Sequence, residues 1–221
     1  MSIVENIQYI ENQVVSKGVT LIAVSKTKPV EMLMEAYNAG FKRFGENYVQ
    51  ELVEKYESMP KDIEWHFIGH LQSNKVKYIA PFVSLIHSVD SLKLLQEINK
   101  QAAKNSRMID CLLQIYIAEE DTKSGMTEEE CLAILQPETL KSLPNIRIVG
   151  LMGMTTLTDD ETQIKKEFRK LKDFSKKLRT QNSELRILSM GMSGDYEIAI
   201  EEGSTMIRVG SKIFGGRIYQ K

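Results

Sequence analysis

Cysteine is scarce in this chain of 221 residues, which has only Cys111 and Cys131, far apart and outside any CxxC pair. A reducing cytoplasm is therefore the simplest compartment for the protein. No apolar run approaches the roughly 20 residues that a membrane helix needs. The first 15 residues mix acids and amides with apolar residues, unlike a signal peptide, so we expect no membrane partner.

An excess of charge of one sign is also lacking, because 29 Lys and Arg residues are balanced by 30 Asp and Glu residues. A general nucleic-acid binder or a protein of anionic membranes would normally be more basic. The helix predicted over residues 162–179 does carry a basic face, but the balanced total charge favours a solvated surface there. We therefore expect no nucleic-acid partner.

What the sequence does contain is a repeated alternation of short apolar, β-branched runs with amphipathic stretches. The runs suit strands that are buried on both faces, as in a parallel sheet. Eight strands are predicted, over residues 21–24, 43–45, 65–68, 85–87, 109–117, 146–151, 187–190 and 206–209. Helices are predicted between them, for example over residues 30–39, 48–56, 92–104, 127–135 and 162–179.

This order of elements predicts an α/β fold, a (β/α)8 TIM barrel, with a doubly wound open sheet as the alternative. No Pro-, Gly- or Ser-rich linker divides the chain, so we expect residues 1–221 to form a single domain. Little sequence is left for a helix after the eighth strand. Residues 3–17 have apolar positions at helical spacing, and we expect this N-terminal helix to complete the outer ring.

The first predicted strand is followed by Ser25, Lys26, Thr27 and Lys28. A lysine at the inner end of a buried strand, beside a second cation, is pushed towards its neutral amine. The neutral amine is the form that reacts with an aldehyde to give a Schiff base. An ordinary surface pair of lysines before a helix is the alternative.

Glycine and serine recur after the last two predicted strands, as Ser193-Gly194 and as Gly210-Ser211. Backbone N–H groups at such turns, together with the hydroxyl groups, bind anions. In a barrel of this kind the loops after strands seven and eight commonly form the phosphate site. Each pair alone would be a weak signal, because glycine and serine mark any turn.

Other candidate residues carry weaker signals. His66 and His70 are four residues apart but flank a strand, so they do not share a helix face and no metal site is predicted. His87 ends the fourth strand, where it could contact a ligand or be a satisfied core residue. Met154 follows the sixth strand and could pack on a planar ring or simply in the core. The sequence has no Walker A, GxGxxG or HExxH motif.

Seven motifs resemble, in order, those of the pyridoxal phosphate homeostasis proteins, the YggS/PROSC family. They are AVSKTKP at 23–29, FGENYVQE at 44–51, WHFIGHLQSNK at 65–75, IHSVDS at 86–91, GLMGMTT at 150–156, LSMGMSGDYEIAI at 188–200 and RVGSKIFG at 208–215. The motifs are long, and together they are very specific. The resemblance implies a barrel similar to the N-terminal domain of alanine racemase (fold type III) and bound pyridoxal 5′-phosphate (PLP).

Matched residue by residue, the resemblance implies that Lys26 holds PLP as a Schiff base. Arg208 would face the pyridine nitrogen, and because a guanidinium cannot accept a proton, the ring would be a poor electron sink. Lys123 matches a family lysine near the mouth of the site. The phosphate would be held by Ser193, Gly194, Gly210 and Ser211, and the ring would be lined by Asn47, His87 and Met154.

Alanine racemases add a C-terminal β domain that supplies a second acid/base group, whereas this chain ends soon after its eighth predicted strand. The resemblance therefore implies a non-catalytic protein of PLP (vitamin B6) homeostasis and amino-acid balance, with apo PLP-dependent enzymes as candidate recipients. We expect a cytoplasmic monomer. A fold type III racemase or lyase using Lys26 and a second base is the alternative, and an RNA-binding or structural barrel is disfavoured by the charge balance and the paired phosphate loops.

Overall fold

Eight parallel strands close into a barrel in the computed structural model, which describes residues 1–120, 124–180 and 182–216. Each strand pairs with the next along the chain, and the last pairs with the first, for example through Leu21 opposite Ile207. Closure confirms the predicted TIM barrel and excludes the open sheet. The strands are β1 Thr20–Val24, β2 Arg43–Glu46, β3 Glu64–Phe67, β4 Leu85–Val89, β5 Ile109–Gln114, β6 Ile146–Met152, β7 Ile187–Ser189 and β8 Met206–Val209.

Helices cover the outside of the barrel; α1 comes before β1, and the others lie in the connections that follow the strands. Over the described residues they are α1 Ile3–Val14, α2 Val30–Asn38, α3 Val49–Ser58, α4 Val76–Ile79, α5 Leu92–Lys104, α6 Glu128–Ile134, α7 Pro137–Lys141, α8 Glu161–Arg179, α9 Tyr196–Glu201 and α10 Ser211–Phe214. None of these helices is long and apolar enough to cross a membrane.

The N-terminal helix fills the place that a short last helix leaves open. Helix α10 has only four residues, and α1 packs against it, against α2 and against β1. The Asn6 side chain donates a hydrogen bond to the Ile213 carbonyl at 3.0 Å, which ties α1 to α10. A reciprocal capping box between Ser2 and Glu5 starts α1 and satisfies backbone N–H groups that would otherwise lack partners. The predicted completion of the ring by α1 is therefore confirmed.

Some predicted boundaries were wrong, and the reasons are local. The fifth strand was predicted to run to residue 117, but β5 ends at Gln114. The Ile115 N–H still donates to the Met152 carbonyl of β6, and Ile115 otherwise forms an isolated bridge to Met126. The fourth strand was predicted to end at residue 87, but β4 continues to Val89. The apolar run at β5 extends beyond the paired segment, whereas β4 continues past the polar Ser88 to Val89, so hydrophobicity alone does not mark where pairing stops.

The basic helix has the amphipathic character expected from its spacing. In α8 the apolar residues Ile164, Phe168, Leu171, Phe174 and Leu178 are all buried. Cations on its opposite face form ion pairs with carboxylates of neighbouring segments, for example Arg169 with Glu202 and Lys166 with Glu119. Some cations of this basic face are thus paired with the protein's own acidic residues.

Candidate functional site

A cavity of about 470 Å³ opens at the carboxyl ends of the strands. Its volume is in the range of small-molecule sites, about 300–1,000 Å³. Eight of the nine predicted site residues lie on its wall: Lys26, Asn47, Met154, Ser193, Gly194, Arg208, Gly210 and Ser211. The rest of the described wall is Val24, Thr27, Lys28, Ile68, Leu157, Met192 and Gly215. Residues from the first, second, third, sixth, seventh and eighth strand ends thus converge, as the barrel rule predicts.

Lys26 stands in a tight turn directly after β1 and is half-buried. The N–H of Lys28 donates to the Ser25 carbonyl at 3.0 Å, and Thr27 between them has a left-handed φ of 62°. The Lys28 amine donates to the carbonyl groups of Gly215 and Gly216 at 3.0 and 2.7 Å. Of the two lysines on the wall, Lys28 therefore holds the C-terminal segment against the cavity mouth.

The turn that carries Lys26 rests on a buried cluster of charges that the sequence analysis missed. Lys55 Nζ lies 2.7 Å from Glu46 Oε1 and 2.6 Å from Glu51 Oε1. Burial raises the pKa of Glu46 to about 7, although Lys55 and the Ser25 hydroxyl act in the opposite direction. A glutamate at the end of a buried strand was the available signal, whereas the pair Glu51 and Lys55 reads as an ordinary surface pair at i,i+4.

Arg208 occupies the floor of the cavity and is almost fully buried. Its guanidinium donates to Ser189 Oγ at 2.7 Å and to the Gly153 carbonyl at 3.2 Å. Burial lowers the pKa of Arg208 to about 10, with Asp195 opposing that change. Since this value lies well above neutrality, the wall presents a fixed cation that donates hydrogen bonds and accepts no proton.

His87 is the one predicted site residue that does not line the cavity. It is fully buried, and its Nδ1 lies 3.1 Å from Ser189 Oγ, the group that accepts from Arg208. Its Nε2 lies 2.9 Å from His66 Nδ1. Burial lowers the pKa of both imidazoles, that of His66 to about 3, so both are neutral near pH 7. His87 therefore supports Ser189 and Arg208 from behind instead of forming part of the wall.

The histidine pair at 66 and 70 forms no joint site. His66 contacts His87 inside the barrel, whereas His70 is exposed and lies 3.4 Å from Asp90. Within the described ranges no group of three or more His, Cys, Asp or Glu side chains is placed to hold a metal ion. Lys123, at the predicted mouth, lies outside the described residues.

The two Gly-Ser turns meet at one end of the cavity. The Gly210 N–H donates to Ser193 Oγ at 3.1 Å, which joins the loop after β7 to the loop after β8. Asp195 shapes the first loop, because its carboxylate accepts from the Met192 N–H at 2.6 Å and from Thr155 Oγ1 at 3.0 Å. A Cβ on Gly210 would lie 3.1 Å from the Val24 carbonyl, so glycine allows this close approach to β1. These loops offer N–H and hydroxyl groups at one end of the cavity.

Asn47 and Met154 form side walls of different character. Asn47 follows β2, and its Oδ1 is buried without a hydrogen-bond partner among the described residues. Met154 follows β6 and is half-buried. Asn47 adds a polar side chain to the wall, although its Oδ1 is itself closed off from solvent, and the thioether of Met154 packs well on a planar ring.

The chain is similar to one protein family over nearly its whole length. The family model for the N-terminal domain of alanine racemase matches residues 1–218. A pyridoxal phosphate homeostasis protein of Aquifex aeolicus is 46% identical over 90% of this chain and 87% of that protein. Proteins of the same name from Vibrio alginolyticus and Escherichia coli are 42% and 39% identical, over 99% and 92% of this chain and 99% and 88% of theirs.

Solved structures agree with this similarity. PipY of Synechococcus elongatus, solved without PLP, is 36% identical and superposes with a TM-score of 0.90 over 97% of this chain and all of that one. The same protein solved with PLP bound superposes with a TM-score of 0.87 over the same shares. Alanine racemase of Bartonella henselae is 14% identical, with a TM-score of 0.73 over 99% of this chain and 60% of that one. At that identity the racemase shares the fold alone.

Proposed function

Because the chain belongs to the family of pyridoxal phosphate homeostasis proteins, we propose that it binds PLP in the cavity at the carboxyl ends of its strands and acts in the homeostasis of that cofactor. The observation that carries the proposal is the convergence on one wall of Lys26 and of the two Gly-Ser turns. An amine and an anion site on the same cavity suit a ligand that has both an aldehyde and a phosphate group.

The residues present fit this ligand in three respects. The linked loops after β7 and β8 supply uncharged N–H and hydroxyl donors for a phosphate. Asn47 supplies a polar amide side chain on the same wall. Met154 and Ile68 supply apolar wall for an aromatic ring.

Lys26 is proposed to hold PLP as a Schiff base, which is the chemistry that the aldehyde of this cofactor supplies. The amine belongs to a side chain on the wall, and its turn is held by the buried charges beneath it. The proposed phosphate contacts are Ser193, Gly194, Gly210 and Ser211, and they set the distance between the anion site and the amine.

Arg208 is proposed to face the pyridine nitrogen of the ring. Its guanidinium is oriented by Ser189, which His87 supports in turn. A guanidinium there donates a hydrogen bond and keeps the ring nitrogen unprotonated, which withholds the electron sink that amino-acid chemistry on this cofactor requires.

We also propose that the protein turns over no substrate, first because the ring nitrogen stays unprotonated and second because racemisation needs a pair of acid/base groups. Racemisation needs a proton removed from one face and delivered to the other, hence two placed acid/base groups. The described wall has no carboxylate, imidazole, thiol or phenol, and the Lys28 amine is engaged with two carbonyl groups. The curated relatives are named as homeostasis proteins, which supports the same role.

This proposal includes residues 1–221 as a single cofactor-binding domain, acting as a cytoplasmic monomer with apo PLP-dependent enzymes as recipients. Transfer can be measured by mixing the loaded protein with such an apo-enzyme and following the recovery of its activity. A recovery no faster than with the same concentration of free PLP would contradict delivery.

The direct test of binding is an absorption spectrum of the protein with PLP, followed by borohydride reduction and peptide mass mapping. We expect a yellow species and a pyridoxyl group on Lys26. The Lys26→Ala variant should lose both, whereas Lys212→Ala, which changes an exposed lysine outside the cavity wall, should keep them. A pyridoxyl group found only on Lys123 or Lys212 would overturn the assignment.

Turnover is tested separately, with L-alanine in deuterated water. We expect no inversion at Cα, and slow exchange without inversion agrees with a single acid/base group. Racemisation at ordinary enzyme rates, about 1 per second or faster, would contradict the carrier role and establish a fold type III racemase instead.

A further inference from the structure

The residues on both sides of Lys26 are held by contacts from outside the cavity. Lys55 Nζ donates to the Ser25 carbonyl at 2.8 Å, and the Ser25 hydroxyl donates to Glu46 Oε1 at 2.6 Å. On the other side, the Thr27 N–H donates to Glu51 Oε1 at 2.6 Å. Glu46, Glu51 and Lys55, here called the lysine clamp, thus hold the backbone directly before and after Lys26.

The lysine clamp holds a backbone conformation that is unfavourable without support from surrounding residues. Thr27 has φ = 62°, in the left-handed region that β-branched residues rarely adopt. Such a conformation persists only where its surroundings determine it, and it concentrates at functional sites. The contact from Glu51 to the Thr27 N–H fixes this residue.

Stability alone is a poor explanation for these charges. The side chains of Lys55 and Glu46 are 5% and 0% exposed, and Glu46 Oε2 is buried with no partner in the described protein. Taking such a pair out of water costs about as much as the attraction returns, and well-packed apolar residues often do as well. A role in positioning the backbone on both sides of Lys26 therefore explains the lysine clamp better than stability does.

We propose that Glu46, Glu51 and Lys55 are positioning residues for Lys26. None of the three lines the cavity, so they act on the ligand only through the turn that they hold. By holding that turn, they place the Lys26 amine opposite the aldehyde carbon of a ligand whose phosphate lies in the Gly-Ser loops. The nitrogen of the neutral amine then forms a C=N bond with that carbon, and the aldehyde oxygen leaves as water together with the two hydrogens of the amine. This inference rests on the proposed PLP-binding function.

The main test variant is Glu51→Ala, which removes the acceptor for the Thr27 N–H and keeps the pair of Glu46 and Lys55. Glu51 is also the most exposed member of the lysine clamp, with a side chain 22% exposed, so this variant should fold. Glu51→Gln keeps an oxygen acceptor and is the rescue variant. The matched control is Glu54→Ala, which removes an exposed carboxylate of the same helix that is hydrogen-bonded to Gln50.

Two measurements separate positioning from general damage. The first is the rate of covalent capture of PLP, followed by borohydride quenching at timed intervals and mass analysis of the Lys26 peptide. The second is the affinity for pyridoxine 5′-phosphate, which has the ring and the phosphate but no aldehyde. For Glu51→Ala we expect a capture rate at least tenfold lower and an unchanged affinity, with Glu51→Gln within about threefold of the wild type and Glu54→Ala equal to it.

Contrary results would contradict either the positioning inference or the proposed function, and the two failures are distinguishable. If Glu51→Ala captures PLP at the wild-type rate, or if Glu51→Gln is as slow as Glu51→Ala, the positioning inference is wrong. If the affinity for pyridoxine 5′-phosphate falls as far as the rate does, the lysine clamp supports the whole cavity, and the inference is also wrong. If the wild-type protein itself carries no pyridoxyl group on Lys26, the proposed function fails instead. Should Glu51→Ala not fold, Glu51→Asp, which shortens the side chain by one methylene group, undergoes the same two measurements.

Discussion

In the wild-type protein, the burial of Glu46 should make the free energy of unfolding fall as the pH rises towards neutrality. Replacing Glu46 with glutamine should remove that fall. The Glu46 side chain is fully buried, and Oε1 accepts from Ser25 Oγ and Lys55 Nζ. Oε2 has no partner among the described residues. Burial is the largest cause of the rise in its pKa from 4.5 to about 7. Glutamine keeps the shape and an oxygen acceptor but has no charge to bury.

The expected size follows from the rise in pKa. The pKa of Glu46 rises from 4.5 to about 7. At about 1.4 kcal/mol for each pKa unit, this rise corresponds to ~3 kcal/mol in the free energy of unfolding. Between these two pH values the folded protein holds a proton that the unfolded chain has released. The stability linked to Glu46 is therefore fully present below pH 4.5 and is lost as the pH rises through 7.

The assay is urea unfolding of the ligand-free protein, wild type and Glu46→Gln, at several pH values from 4.5 to 8. The quantity of interest is the difference in unfolding free energy between the two proteins at each pH. The lowered pKa values of His66 and His87 give a slope of opposite sign below pH 6.5, but it is common to both proteins and cancels. A difference that stays constant would refute the reasoning and show that Lys55 offsets burial, and one that moves against the variant as the pH rises would show that Lys55 outweighs it.

Further predictions concern the phosphate loops, one close backbone contact and one surface ion pair. Ser211→Ala should weaken the binding of PLP about tenfold by calorimetry, since a hydrogen bond to a charged group contributes about 1.5–3 kcal/mol, and an unchanged affinity would remove this residue from the phosphate site. Gly69→Ala should lower the unfolding free energy by more than about 2 kcal/mol, because its new Cβ would lie 2.2 Å from the Asn47 carbonyl oxygen, whereas Gly216→Ala, with nothing within 4 Å, is the matched control. Arg147→Ala breaks an exposed bidentate ion pair and should change the unfolding free energy by less than about 1 kcal/mol, so a larger loss would contradict a solvent-screened contact.

The order of strands and helices could be predicted because buried strands have a characteristic amino-acid composition. Strands covered on both faces need apolar, β-branched residues, and eight such runs mark the eight strands of the barrel. The ends of the strands were less predictable, as with β5, which stops at Gln114 although the apolar run continues. Where a ladder ends depends on the register with its neighbours, and register is a property of two segments at once.

The wall of the candidate site was also largely predictable, since a barrel brings its strand ends together wherever they lie in the chain. Lys26 and the two Gly-Ser turns could be expected to converge for that reason, and they line one cavity. His87 was expected there too, because it is near a strand end. The structure places it behind Ser189 instead, since β4 continues for two residues beyond His87 and the sequence does not reveal how far each strand rises in the barrel.

The sequence by itself therefore determined which segments are strands, their order around the ring, and which strand ends carry an amine, a guanidinium and anion-binding turns. Only the tertiary structure decided that Lys55 reaches the Ser25 carbonyl and Glu46 inside the protein and that Glu51 fixes Thr27 in a left-handed turn. The physical reason is that hydrophobic patterning is local and repeats with the period of each element. A buried polar contact, by contrast, depends on distances of 2.6–2.8 Å between residues up to 30 positions apart, and only the closed barrel sets those distances.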